Sequence, residues 1–305
     1  MTTKVNLDSA KATKDDEFYT QLVDIEKECS YYKEQFKDKI IYCNCDNYKT
    51  SNFVKYFQDN FHVLGLKEVI ATSYNPHDKG IYYSFNGVLG ESKELEDNGD
   101  FRSLECISIM LRSDIIVTNP PFSLNREFIK TVISWHKKFL IISSQTVIGY
   151  KDIFPLIQND VLFVGMNYGD MKFTVPDDSE PRANRFWIDE TGQKWRSLGN
   201  TIWLTNLINT NLLRKELNLV KTYNPDVNLK YDNYNGIEVA KINEIPYDYD
   251  GVMGVPITFM YKYNSNQFEI VGFRKGDDGK DLCINGKSLF SRILIKRKYS
   301  DDRNN

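Results

Sequence analysis

The sequence predicts an α/β protein, a Rossmann-like, doubly wound mixed sheet followed by an additional C-terminal module. Apolar runs of strand length alternate with helix-spaced apolar sets from about residue 18 to 206. Beyond that point Tyr, Asn and Asp become dense and only short β-like runs remain. The chain has 305 residues, 41% hydrophobic and 27% charged, enough for a sizeable core and a second module.

Residues 1–14 are polar and predict a disordered leader. Phe18, Leu22, Ile25, Cys29, Tyr32 and Phe36 step by 4, 3, 4, 3 and 4, predicting one helix with an apolar stripe. Fewer than three heptads favour packing on a sheet over a coiled-coil dimer. Residues 39–44 read as a strand, Ser51 as the cap of a helix bearing Phe53, Tyr56, Phe57 and Phe61, and 67–72 as a second strand. Gly, Asp, Asn and Ser crowd residues 75–100, a hairpin or loop. A helix over 103–111 leads to a strand at 114–118, which Asn119-Pro120-Pro121-Phe122 stops. Ser123 can cap the next helix, with Leu124, Phe128, Val132 and Trp135 along one side. Strands at 138–142, 161–164 and 201–205 and a helix at 151–158 complete the first part. Residues 207–223 read as a helical bridge and 268–273 as a strand, while 292–298 reads equally as a basic run for phosphate anchoring (Arg292, Lys296, Arg297, Lys298) and as an edge strand.

Composition excludes several classes. No run approaches the roughly 20 apolar residues of a bilayer span, and no secretory h-region opens the chain. Five scattered cysteines and three histidines without metal spacing argue against disulfides and zinc. The expected setting is cytoplasmic and reduced, with no membrane partner and no metal. A net charge of −3, from 39 basic and 42 acidic side chains, argues naively against a nucleic-acid partner. The 19 Tyr and 18 Phe suit a core and also suit stacking on bases.

Asn119, Pro120, Pro121 and Phe122 fall between a strand and a helix, at the carboxyl edge where open α/β sheets bind ligands. Two prolines fix φ and donate nothing, so the loop presents carbonyls along a rigid path. The Asn carboxamide oxygen and the Pro120 carbonyl make two acceptors that match the two N–H groups of an exocyclic amine. Phe122 offers a face for a planar ring. Such a pair would localise the nitrogen lone pair and aim it at a sulfonium methyl, with no strong base required. As an isolated tripeptide Asn-Pro-Pro reads equally as a turn, and its flanking strand and helix favour the functional reading.

With these residues in place the chain resembles the EcoRI-type adenine-specific DNA methyltransferases, which use S-adenosyl-L-methionine. The matching segments are residues 16–21 (DEFYTQ), 42–46 (YCNCD), 99–103 (GDFRS), 113–123 (SDIIVTNPPFS), 185–187 with 189–200, 247–259 and 292–296. The resemblance implies a methyltransferase fold and methylation of adenine N6 on a base flipped out of double-stranded DNA. It also implies the modification half of a type II restriction–modification pair, with a GAATTC-like site, a separate cognate endonuclease and a monomeric enzyme. It implies that Phe18, Tyr19, Thr20, Asn44 and Asp46 contact the methionine end of the donor, and Asp100 and Phe101 its adenine. Three features depart from the wider pattern. No glycine follows the first strand, no acidic residue ends the second, and Asn125 stands where the family carries a bulky aromatic.

The order of motifs places target recognition in residues 207–305 and in an insertion at 167–200. Arg182, Arg185, Lys194 and Arg196, interleaved with Trp187 and Trp195, are the expected DNA-binding residues and should line the cleft that the loop faces. Rival readings are methylation of an RNA adenine or a protein glutamine, and a non-catalytic nucleic-acid binder with a degenerate donor site.

Overall fold

A computed structural model describes residues 19–177, 179–181, 184–274 and 281–298. The predicted leader, Phe18 and Arg182 lie outside these residues. The chain groups into two compact units, Met1–Val147 with Gly165–Ile208, and Ile148–Val164 with Asn209–Asn305.

The first unit begins with a two-residue strand β1 (Tyr19–Thr20), then α1 (Leu22–Cys29) and α2 (Lys33–Phe36). The single helix expected over 18–36 is therefore broken. The Ser30 hydroxyl donates to the Lys27 carbonyl at 2.8 Å, a local bond that competes with helix continuation, and Tyr32 leaves helical geometry at φ −120°, ψ 10°. The stripe survives the break, because Ile25, Cys29, Tyr32 and Phe36 are all buried. There follow β2 (Ile40–Asn44), α3 (Asn52–Asp59), α4 (Phe61–Leu64) and β3 (Glu68–Ser73). The Ser51 side chain caps α3, accepting from the Phe53 and Val54 amides. Phe53, Tyr56 and Phe57 pack inward, with Phe57 edge-on to Phe36 at 5.3 Å.

Residues 75–100 contain a hairpin, β4 (Ile81–Phe85) and β5 (Gly90–Glu94), added antiparallel to β3. Then come α5 (Leu104–Arg112), β6 (Ile115–Thr118), α6 (Asn125–Ser134) and β7 (Lys138–Ser144). Ser123 is not the residue next to the start of α6. Residues Phe122–Leu124 form a 3-10 turn, which places Leu124 at the cap position. α7 (Phe154–Gln158) follows and belongs to the second unit, and after it come β8 (Phe163–Gly169), β9 (Lys172–Thr174), β10 (Phe186–Ile188), β11 (Lys194–Ser197) and β12 (Thr201–Thr205).

The large sheet has the order β5-β4-β3-β2-β6-β7-β12-β8. Its centre, β3, β2, β6 and β7, is parallel, and β12 runs antiparallel to β7. It is the doubly wound mixed sheet that the alternating pattern predicts. The chain leaves β2 toward β3 and returns to β6 on the other side of β2. The order therefore reverses between β2 and β6, and their carboxyl ends flank the crevice. A separate small sheet, β1-β9-β11-β10, is antiparallel throughout.

In the second unit the strands β13 (Gly236–Glu238), β14 (Val252–Pro256), β15 (Phe268–Arg274) and β18 (Arg292–Arg297) pair in the order β13-β14-β18-β15. The small hairpin β16 (Cys283–Ile284) and β17 (Lys287–Ser288) stands apart from them. The run expected to be an edge strand is thus central, which explains why Ile293, Leu294 and Ile295 are buried. The helical bridge over 207–223 is absent; a 3-10 turn at Thr210–Leu212 is its only helical part among the described residues. Side chains satisfy this backbone instead. Gln267 brackets Leu217, accepting from its amide and donating to its carbonyl at 2.7 Å each, and Asn264 donates to the Arg214 carbonyl. Among the described residues no helix is long and apolar enough to cross a membrane.

Candidate active site

At the carboxyl end of β2 the chain turns through Cys45, whose φ is +86°. The turn where glycine is expected therefore keeps the left-handed backbone and gives it to a cysteine, at a cost in strain. The Cys45 and Asp46 amides both donate to the Thr72 carbonyl at 3.0 Å, anchoring the turn on β3. Burial pushes the Cys43 and Cys45 thiols well above their usual values.

Asn44 is buried, and its Oδ1 finds no hydrogen-bond partner among the described residues. Asp46 points into the protein. Its Oδ1 accepts from the Ser51 hydroxyl at 2.6 Å, and its Oδ2 lies 2.5 Å from Thr118 Oγ1. Burial pushes this carboxyl up to about 6, although both hydroxyls pull it down.

Asn119 follows β6 directly. Its Nδ2 donates to Thr20 Oγ1 over 3.4 Å, so two segments 99 residues apart in sequence meet here. Thr20 is itself fixed, its carbonyl accepting from Asn52 Nδ2 at 2.8 Å and its strand pairing with Phe173. Tyr19, beside it, is exposed. Pro120 is buried, and the Pro121 carbonyl accepts from the Leu124 amide at 2.9 Å. Phe122 is half-buried and packs on the main core. Asn125, where the resemblance has an aromatic, is buried and donates from Nδ2 to the Pro121 carbonyl at 3.4 Å.

Asp100 and Phe101 sit beyond the end of β3. Gly99, at φ +81°, lets the chain approach so closely that a Cβ would fall 2.2 Å from the Ser73 carbonyl oxygen. The Asp100 carboxylate is held by Arg102 through Nε at 2.8 Å and Nη2 at 2.5 Å. The guanidinium keeps the carboxyl below its usual range. Phe101 is buried, edge-on to Phe128 of α6 at 5.1 Å, with Arg102 over its ring at 5.4 Å.

Arg185, Lys194 and Arg196 all come to the small sheet that begins with β1. Arg185 pairs with Asp170 at 2.8 Å across an exposed surface. Lys194 donates to the Asp177 and Ser179 carbonyls. Arg196 stands opposite Phe186 and Phe173. On the other face Trp187 and Trp195 stack at 6.1 Å, Lys172 lies 5.9 Å from the Trp187 ring, and Asp189 accepts from Trp195 Nε1 at 2.7 Å. The C-terminal basic run is less available at Arg292, which is bound to Glu238 at 2.6 Å in a part-buried pair. Sequence reasoning missed Thr118, Arg102 and Lys172. Thr118 gave a signal in its place immediately before the loop, while the other two depend on long-range packing.

The model of the family described as adenine-specific methyltransferase EcoRI matches residues 6–298. The type II methyltransferase M.EcoRI of Escherichia coli is 46% identical over 314 residues, covering 96% of each chain. M.MgeORF184P of Mycoplasma genitalium is 35% identical, over 95% of this chain and 98% of its own. M.MpnI of Mycoplasma pneumoniae is 33% identical over the same shares. Matched almost end to end by a family model and by these relatives, the chain belongs to the EcoRI family of adenine-specific methyltransferases.

Proposed function

We propose that this protein is a site-specific DNA adenine-N6 methyltransferase, the modification enzyme of a type II restriction–modification system, with S-adenosyl-L-methionine as donor. The observation that carries the reading is the meeting of Asn119 with Thr20 at the crevice beside Asn44. When bound, the donor supplies an electrophilic methyl group on a sulfonium. The residues fit it, because the buried Asn44 Oδ1 is an acceptor still to be satisfied, suited to an ammonium. Thr20 and Tyr19 flank the same end, and Asp100 with Phe101 would border the adenine.

The target adenine must leave the duplex to reach the loop. Asn119 and the Pro120 carbonyl then accept its two amino hydrogens, drawing lone-pair density off the ring and toward the methyl carbon. Phe122 supports the flipped base. The proton leaves once the nitrogen is cationic, so positioning and charge stabilisation do the catalysis. Arg182, Arg185, Lys194 and Arg196 would hold phosphates of double-stranded DNA, and residues 207–305 would read the site, a GAATTC-like sequence. The enzyme would act as a cytoplasmic monomer beside a separate cognate endonuclease.

Incubation of unmethylated genomic DNA with protein and donor, followed by sequencing for modified bases, tests this reading. N6-methyladenine at one short palindromic site is expected, and DNA left unmodified would overturn it. Asn119→Ala should keep donor binding by calorimetry while turnover falls at least about 10²-fold.

A further inference from the structure

Thr118 ends β6 and stands immediately before Asn119. The parallel ladder between β2 and β6 runs through Ile41↔Ile115 and Tyr42↔Ile116 and carries no pairing beyond them. The ladder ends there, two residues short of Asn44 and Thr118. Beyond it one fully buried side chain reaches across. Thr118 Oγ1 lies 2.7 Å from the Asn44 carbonyl oxygen on β2 and 2.5 Å from Asp46 Oδ2. Asp46 continues the chain of bonds to the Ser51 hydroxyl at 2.6 Å, and Ser51 Oγ caps α3. The hydroxyl before the loop is thus fastened to the strand end opposite and to the first turn of a helix.

We propose that Thr118 is a positioning residue for methyl transfer, its hydroxyl setting the width of the crevice and thereby the place of Asn119 relative to Asn44. The inference rests on the methyltransferase reading. A hydroxyl has one proton, and here it faces two oxygens. Both contacts become hydrogen bonds when the Asp46 carboxyl donates to Thr118 and Thr118 donates to the Asn44 carbonyl. Burial raises Asp46 to about 6, so this arrangement holds below about pH 6. Above it the single Thr118 proton is shared between the Asn44 carbonyl and the Asp46 carboxylate. Asp46 then serves the site from behind, through Thr118. Attack on a methyl carbon tolerates little misplacement, and an error of about 1 Å in such a geometry costs on the order of 10²-fold in rate.

The test compares wild type, Thr118→Val and Thr118→Ser for kcat, for KM with DNA, for donor affinity by calorimetry and for thermal stability. Valine keeps the branched shape and removes the hydroxyl. Folded Thr118→Val should lose about 10²-fold in kcat, with KM and donor affinity within about threefold of wild type. Thr118→Ser should stay within about fivefold in kcat. If Thr118→Val fails to fold, Thr118→Cys takes its place beside Thr118→Ser, since a thiol of similar size is a weak donor. The cysteine variant should then be at least tenfold slower than the serine variant. Wild-type kcat in folded Thr118→Val, equal rates for Ser and Cys, or a loss of stability without a loss of kcat overturns the proposal. If wild type itself leaves DNA unmodified, the methyltransferase reading fails and this inference falls with it. An active wild type with an equally active Thr118→Val removes this inference alone.

Discussion

At Asp46 burial raises the carboxyl from its usual value near 3.8 to about 6, against the pull of the Ser51 and Thr118 hydroxyls. The native state therefore binds a proton more tightly than the unfolded chain. The stability this gives is full below about pH 3.8 and is lost as pH rises through about 6. Asp46→Asn keeps an acceptor for Ser51 and supplies a donor for Thr118. It should stabilise the donor-free protein at pH 7–8 by about 2–3 kcal/mol, a gap that closes near pH 4. Paired urea unfolding curves at the two pH values check this, and an equal gap at both would refute it. Glu28 is a second buried carboxyl that burial pushes up, here against four hydrogen bonds that pull it down. It accepts from the Tyr32 hydroxyl, the Met166 and Asn167 amides and Asn167 Nδ2, at 2.7–2.9 Å. Glu28→Ala leaves those donors buried and should cost about 3–5 kcal/mol in denaturant unfolding. At this scale the sequence made Asn119 and Phe122 legible, because Pro-Pro punctuates the chain on its own. It hid the inward turn of Asp46, which depends on a hydroxyl 72 residues away.

Elements were most legible where one period governs a long buried face. Ser51 and the Phe53, Tyr56, Phe57 set gave the second main helix, and the apolar runs gave β2, β3, β6 and β7 within a residue or two. Phe57→Ala should cost about 3–5 kcal/mol, since the ring is fully buried against Phe36 and Tyr56. A loss under 1 kcal/mol in chemical denaturation would show that the site collapses around the gap. Elements misread were those whose backbone is satisfied by distant partners. Residues 207–223 have apolar spacing suited to a helix, yet Gln267 and Asn264, some 50 residues on, take up its polar groups. A central β18 could not be distinguished from an edge strand, because burial on both sides depends on β14 and β15.

For the whole molecule, a net charge of −3 proved a poor guide to where charge lies. Arg185, Lys194 and Arg196 gather on one small sheet together with Lys172, although internal oxygens already hold part of that charge. If these cations neutralise phosphates, replacing Lys194 and Arg196 with Ala should weaken DNA binding uniformly across sequences. It should also flatten the slope of log K against log salt by about 2. An unchanged slope in a titration series would remove them from the interface. The two units interleave along the chain, for Ile148–Val164 belongs with residues that follow Ile208. In that segment Phe154 packs on Phe273, and Gln158 donates to the Ile270 and Val271 carbonyls. During synthesis this stretch must therefore wait for more than a hundred further residues before its apolar side chains are covered. Neither unit can be cut out as one continuous fragment, and a nascent chain paused near residue 208 would be a natural client for a chaperone.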